Sequence, residues 1–467
     1  MRFSWLVATA FVLAGLGTPL LARDGAASAP VSASSSIGVT DAQLTPAYWV
    51  AQQVQPERVL LDAAQTAAQN AKLVQLDSSM HDLRALPGEL DRAQVAGWIE
   101  ALSQRPRHPL FDRAGQPVTE AMLDTLAGDL ALDAIPAQQQ TRYGLIVRRA
   151  ALRTFPTTLR VFNERGDTDI DRFQETAVVP GTPVVITHAS RDGTWLFVLT
   201  PRYAAWVAAA DVAEGKAAQV FAYVDHTPYR IVTGATERTV FTPEQPAMSR
   251  LALDMGTRVP LLTDVAPTQP VNGQTSYTSY VLQLPLRAND GSLQFTPALL
   301  QKNTDTAAAY LPLTPANIIR QALKLLGERY GWGGMYEGRD CSSFVGDVYA
   351  SMGVDMPRNT ARQASSPAFT RTPFTASSTR AERMRAVHAL QVGDLVYIPG
   401  HVLLVLGQVD GQPYVIHDVA RMRYRQANGS IADIKLNAVS VTPLLPLLFD
   451  DQHTYVERMT SIVRMRR

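Results

Sequence analysis

The chain has 467 residues, 46% of them hydrophobic, which is enough apolar content for a buried core and more length than one core supports, so three or four domains are expected. Its 43 basic and 42 acidic residues leave a formal charge of +1, which argues against a polyanion binder, and no basic run or basic–aromatic stripe points to nucleic acid. The single cysteine, Cys341, excludes an intrachain disulfide, so stability must come from the core alone.

In chain order, residues 1–22 place Arg2 ahead of an apolar run, Phe3 to Leu21, broken by Gly15, Gly17 and Pro19. This is the pattern of a secretory signal peptide, with Ala22 or Ala29 as candidate cleavage points. An uncleaved anchor helix is the alternative for the same run. No other stretch is apolar over a membrane-spanning length, and no cysteine follows the run to carry a lipid. The expectation is export, to the periplasm, where an unpaired thiol in an oxidising compartment favours catalysis. Residues 23–40, rich in Ala, Ser and Pro, read as a flexible linker.

Residues 41–140 read as mainly helical. Glu57 to Lys72 sets Val59, Leu60, Ala63, Ala64, Ala67 and Ala68 on one side, and Leu90 to Leu102 does the same with Ala93, Val95, Ala96, Trp98, Ile99 and Leu102. Residues 141–215 change period. Pro183 to His188 and Thr194 to Leu199 are apolar strands bracketing Arg191-Asp192-Gly193, a hairpin signal. With Trp206-Val207 at the end, and Asp171 to Thr176 before the hairpin, this stretch resembles a bacterial SH3-like barrel. A second such barrel is expected over residues 216–310, from the strand Tyr280 to Leu286 and the turn Asn289-Asp290-Gly291.

Residues 311–467 carry the chemistry. Thr314-Pro315 starts a helix with Ile318, Ile319, Ala322, Leu325 and Leu326 on its apolar face, and Gly327 stops it. Gly331, Gly333, Gly334 and Gly338 then break any regular element, and from Ser342 onward Phe344, Val345, Val348, Tyr349 and Met352 recur at helical spacing. Cys341 thus opens a helix of about three turns, where unpaired N–H groups favour a thiolate. A lone cysteine is more often a buried structural one, so a base must be found. Of eight histidines, His401 opens an apolar strand after a Pro399-Gly400 turn, and His417 ends the next strand, Tyr414 to His417, where it is placed to fix the first ring's tautomer. Ser365 to Arg380 reads as a loop insertion bordering the cleft, and Met459 to Arg467 as a solvated tail. The remaining histidines have no partners at ligand spacing, so neither metal nor cofactor is expected.

The ordered motifs Tyr330-x-Trp332-Gly333-Gly334, Asp340-Cys341-Ser342, Pro357-Arg358-Asn359 with Gln363, Gly393-Asp394, Gly400-His401-Val402 and Ile416-His417 resemble the NlpC-type papain-like peptidases that cut bacterial cell-wall peptides. The resemblance implies a helical N-terminal segment, two small SH3-like barrels and a C-terminal α+β papain-like domain. Tyr48-Trp49 and Leu60-Leu61 look like the stabilising segment found ahead of some of these enzymes. It implies Cys341 as nucleophile, His401 as base and His417 as its orienter. Tyr330 should touch an oxyanion or the substrate, with Ser342, Asn359 and Thr360 on the substrate side.

Two positions depart from the family pattern: Ser343 replaces the usual glycine after Cys-Ser, and Asn359 stands where an Asp often follows Pro-Arg. The implied substrates are peptidoglycan stem peptides or murein fragments, cut at the γ-D-glutamyl bond to a diamino acid. The barrels either bind wall polymer, or the first closes the cleft so that only a peptide with a free N-terminal L-Ala fits. A ligand ammonium then needs a carboxylate. Asp340 is the first choice, helped by Glu175 and Tyr203. An amidase or acyltransferase with the same Cys-His site, or a non-catalytic wall-binding scaffold, are the other readings.

Overall fold

The computed structural model describes residues 37–266, 268–426 and 428–466. The expected signal peptide and most of the linker lie outside the described residues. Helices α1 (Pro46–Ala51), α2 (Ala63–Leu76), α3 (Arg92–Leu102) and α4 (Glu120–Asp129) dominate the first hundred of them. Both longer apolar patterns begin later than expected. Asp62 with Gln65, and Asp91 with Gln94, form reciprocal capping boxes that fix where α2 and α3 start. Leu60 and Leu61 therefore fall outside the helix and pair in extended form with Leu313.

These helices do not build a core of their own. Trp49, Leu61 and Leu73 join the cluster of the last third of the chain, whereas Leu90, Val95, Ile99, Leu123 and Leu126 pack with Phe155, Val185, Phe197 and Trp206 of the following sheet. Trp49 is wholly buried, donates its indole N–H to the Gln43 carbonyl and lies against Gly407, where a Cβ would meet its ring at 3.2 Å.

Seven antiparallel strands follow: β1 (Arg142–Ile146), β2 (Ala150–Arg153), β3 (Gln174–Val178), β4 (Pro183–Ala189), β5 (Trp195–Leu199), β6 (Ala204–Ala208) and β7 (Val212–Gly215). They pair in the order β7-β1-β4-β5-β6-β2-β3. The expected hairpin is β4–β5, closed by Gly193 at φ 71°. After α5 (Ala217–Asp225), residues up to 310 form small sheets and a long hairpin, Ser279–Arg287 with Leu293–Gln301, around Val232, Leu253, Leu282, Leu284 and Leu300.

In the last third, α6 (Pro315–Lys324) is capped by Thr314, and α7 (Cys341–Ala350) by Asp340. Then come α8 (Thr360–Ser365) and α9 (Arg380–His388). They flank a six-stranded antiparallel sheet of β8 (Thr370–Pro373), β9 (Leu395–Ile398), β10 (His401–Val409), β11 (Gln412–Val419), β12 (Ala438–Pro443) and β13 (Ser461–Arg464), in the order β8-β13-β9-β10-β11-β12.

Two expectations are corrected here. The tail is not a solvated end: Ile462 and Val463 are fully buried in β13, and the Arg466 guanidinium neutralises Asp394, which is itself fully buried. The stretch after Ser365 is not all loop, because Thr370 to Pro373 pairs with that tail strand at the sheet edge. A short apolar pair flanked by arginines gives no periodic signal, and only the open edge beside β9 makes it a strand.

The barrel and the last third meet at the glycine-rich loop. Gly333 and Gly334 have φ of 57° and 80°, and a Cβ on Gly334 would lie 2.5 Å from Ala177 Cβ on β3. Gln174 donates from Nε2 to the Gly333 carbonyl at 2.8 Å, and Trp332 Nε1 donates to the Gln174 carbonyl at 3.0 Å. Gly334→Ala therefore loses roughly 1–3 kcal/mol of stability, read in urea denaturation, because it adds both backbone strain and a clash. An unchanged midpoint would show that barrel and loop are not in close contact.

Candidate active site

Cys341 is the first residue of α7, so its own N–H has no partner within the helix. Asp340 caps that helix through Oδ1, which accepts from Ser343 N at 2.9 Å, while Ser343 Oγ accepts from Asp340 N at 2.9 Å. The serine that replaces the family glycine thus completes a capping box.

The charge at Asp340 is not free for a ligand. Arg358 grips it with two hydrogen bonds, Nη2 to Oδ2 at 2.7 Å and Nη1 to Oδ1 at 3.1 Å, and Gly333 N adds a third at 3.1 Å. Burial would raise its pKa, but the Arg358 guanidinium and the Ser343 hydrogen bonds together outweigh burial and hold it below the usual carboxylate range. Asp340 as the ammonium-binding carboxylate is therefore a correction: its charge is already matched. Ser342 belongs to the same network, donating to Asp340 Oδ1 at 3.1 Å and accepting from Arg358 Nη1 at 2.8 Å, so it braces the pair from a buried position. Arg358 Nε reaches Thr176 Oγ1 on β3 at 2.5 Å, which ties barrel, helix start and Pro-Arg loop together.

His401 stands at the start of β10 and His417 on β11, with His401 Nε2 2.8 Å from His417 Nδ1 and His417 Nε2 3.0 Å from Thr442 Oγ1. With the His401 proton on Nε2, donated to His417, Nδ1 is left as the acceptor available to a thiol, and His417 passes its own N–H to Thr442. Thr442 lies on β12, and no sequence signal says that this strand pairs with β11. Tyr455 is a second residue that sequence reading misses: its ring meets that of His401 edge-on at 6.3 Å and is buried.

Cys341 Sγ lies 3.9 Å from the Gly400 carbonyl oxygen, directly before His401. Burial pushes the thiol well above its ordinary pKa, and the Asp340 carboxylate adds to this, with the Val402 N–H offsetting part. The helix N-terminus does not win, because its capping group is itself an anion and the thiol is out of water. Burial also lowers His401 to about 4. Thiol and imidazole are therefore both neutral at rest. Tyr330 is buried nearby, its hydroxyl held neutral by burial first and then by Cys341 and Asp340.

On the barrel side Glu175 is half-buried and accepts from Thr154 Oγ1 at 2.5 Å and from the Tyr203 hydroxyl. Both donors are neutral, and among the described residues Glu175 makes no ion pair. Asn359 is exposed at the start of α8, where its side chain makes no capping hydrogen bond. Thr360, next to it and half-buried, makes no side-chain hydrogen bond to this group among the described residues.

Two measurements check this geometry. Removing the guanidinium in Arg358→Leu leaves Asp340 buried and unpaired, with an expected loss of about 3–5 kcal/mol in denaturant unfolding; a loss under 1 kcal/mol would contradict the pairing. The imidazole of His401 should titrate near 4 by NMR. Between that value and the ordinary 6.5 the unfolded chain binds the extra proton, so this group makes stability rise with pH across the window and fall as acid is added. Titration of His401 at 6 to 7 would contradict a desolvated imidazole.

Residues 327–439 match the NlpC/P60 family, and residues 160–208 match an SH3 domain of the SH3b1 type. Over 192 residues the chain is 29% identical to a γ-D-glutamyl-L-lysine dipeptidyl-peptidase from Bacillus cereus, covering 38% of this chain and 51% of that protein. The chain thus spans about half the length of this curated relative. A solved NlpC/P60 endopeptidase from Photobacterium damselae subsp. piscicida matches 88% of this chain and 94% of its own at a TM-score of 0.69 and 16% identity, a likeness of fold. An NlpC/P60 family protein from Bacillus cereus matches 70% of this chain and 100% of its own at 0.47 and 20% identity. The chain carries an SH3 domain of the SH3b1 type and, behind it, an NlpC/P60 domain, as its motifs led one to expect.

Proposed function

We propose that the protein is an exported cysteine endopeptidase that hydrolyses the γ-D-glutamyl bond to the diamino acid of peptidoglycan stem peptides with a free N-terminal L-Ala. The observation that carries the reading is Cys341 at the first position of α7, its Sγ 3.9 Å from the carbonyl of Gly400, the residue before a His401 whose Nε2 is held by His417 and, through it, Thr442. His401 takes the thiol proton as sulfur attacks the γ-carbonyl carbon. The oxyanion accepts from the Cys341 N–H and from the Tyr330 hydroxyl. His401 returns the proton to the leaving amine, and water, deprotonated by the same ring, hydrolyses the thioester to free enzyme and a γ-carboxylate. The likeness to a relative named a γ-D-glutamyl-L-lysine dipeptidyl-peptidase supports this choice of bond.

The free-amine preference rests on Glu175. Asp340 is neutralised by Arg358, whereas the half-buried Glu175 has only neutral donors, so its charge suits an incoming ammonium with Tyr203 and Asn359 beside it. The barrel that supplies Glu175 is docked on the loop before the nucleophile, which favours closure of the cleft over wall binding alone.

The test is mass spectrometry of products after incubation with L-Ala-γ-D-Glu-diaminopimelate, free and N-acetylated, beside Cys341→Ala. Release of L-Ala-D-Glu from the free peptide only, lost in the variant, is expected. Equal cutting of both removes the amine preference, and cutting of neither moves the reading to an amidase, an acyltransferase or a wall-binding scaffold. Glu175→Gln should cost about tenfold or more in kcat/KM on the free peptide, the scale of a lost charge-assisted hydrogen bond. An unchanged value would take Glu175 out of the substrate site.

A further inference from the structure

Asp418 follows His417 on β11, and the mechanism above gives it no task. Strand alternation sends Val415 and His417 to one face, and Ile416 and Asp418 to the face that packs on α7, where Ile416 clusters with Phe344, Val345 and Val439. The Asp418 side chain is fully buried, and neither carboxyl oxygen has a hydrogen-bond partner among the described residues. Buried polar groups are nearly always bonded, so a carboxyl left this way on the face that packs on α7 requires a reason.

The charges around it are otherwise matched. Arg358 holds Asp340, and Arg339, with one guanidinium, bonds Glu328 at 2.7 Å and Asp347 at 2.7 Å. Asp418 lies within the electrostatic reach of Cys341, Tyr330, Asp340, Glu328 and Arg339, but no cation is bonded to it. We infer that Asp418, buried without a partner on the face that packs on α7, acts on this site through its charge, and that an anion at this position suppresses formation of the Cys341 thiolate.

The electrostatics agree with that placement. Burial first, then Asp340 and Glu328, push the Asp418 carboxyl up to about 9, and Arg339 only partly offsets them. At neutral pH it is therefore uncharged, and the buried site holds one anion fewer when sulfur takes its negative charge. Above pH 9 an ionised Asp418 adds an unmatched charge on the α7 face. The coupling is reciprocal: what raises the thiol also raises the acid. Sequence reading passes over Asp418 because it notes only the histidine before it.

The inference deepens the proposed function and rests on its assignment of Cys341 as nucleophile. Its test reads the thiol without substrate, so failure of the two is distinguishable. Iodoacetamide alkylation of Cys341 is followed by mass spectrometry from pH 7 to 10 in the full chain and in Asp418→Asn. The ratio of the rate at pH 10 to that at pH 7 should be about tenfold higher in the variant, the effect of one pKa unit on the thiol. Equal ratios overturn the inference, and a merely structural role would not move this ratio. The natural protein gives a second readout should the variant not fold: its alkylation rate should flatten between pH 8 and 10, and a climb of tenfold per pH unit throughout overturns the proposal.

Discussion

The arrangement depends on one buried ion pair. Asp340 and Arg358 are 7% and 6% exposed, and between them they cap the nucleophile helix, hold the glycine-rich loop through Gly333 N and reach the barrel through Thr176. Two charges removed from water repay their desolvation only when every lone pair and proton finds a partner. Here Ser342, Ser343 and the Gly333 N–H complete the set. The pair therefore serves less as a source of net stability than as a fixed joint, and three segments distant in sequence have one geometry because no other arrangement satisfies it.

The same joint sets the chemistry. A carboxylate capping a helix opposes the positive end of the dipole at the very residue, Cys341, that a thiolate would need it for, and burial adds to the effect. The site consequently holds a neutral thiol and a neutral imidazole, not an ion pair, so in the proposed mechanism negative charge develops only as the carbonyl is attacked. Hydrogen-bond donors aimed at a developing charge then count for most, and this is why the proposed mechanism calls on the Cys341 N–H and the Tyr330 hydroxyl. Arg358 consumes the charge of Asp340, whereas Glu175 of the barrel has only neutral donors among the described residues, and the proposed recognition of a free amine rests on that difference.

What could be read in the sequence was what lies within one element. The capping Thr314, the helix from Cys341, the hairpin around Asp192-Gly193 and the Pro399-Gly400 turn before His401 all follow from local patterns, and the structure has them where they were expected. What could not be read depends on pairing across the chain. Arg358 was legible as part of a motif, but nothing local says that it spends its charge on Asp340. The strand at Ser461–Arg464 looks like an arginine-rich tail until the sheet edge beside Leu395–Ile398 is known, and Thr442 and Tyr455 meet the histidines only in the fold. The sign of the thiol shift was misjudged for the same reason: a helix start is visible in sequence, and the burial of its first residue is not.

The central claim is that Cys341, served by His401, attacks a γ-D-glutamyl carbonyl. It is tested most directly with an acyloxymethyl ketone built on L-Ala-γ-D-Glu, followed by intact-protein and peptide mass spectrometry. The account predicts one adduct per chain, located on Cys341 and lost in His401→Ala. A protein that cuts the wall peptide yet carries no adduct, or carries it on another residue, would contradict the account.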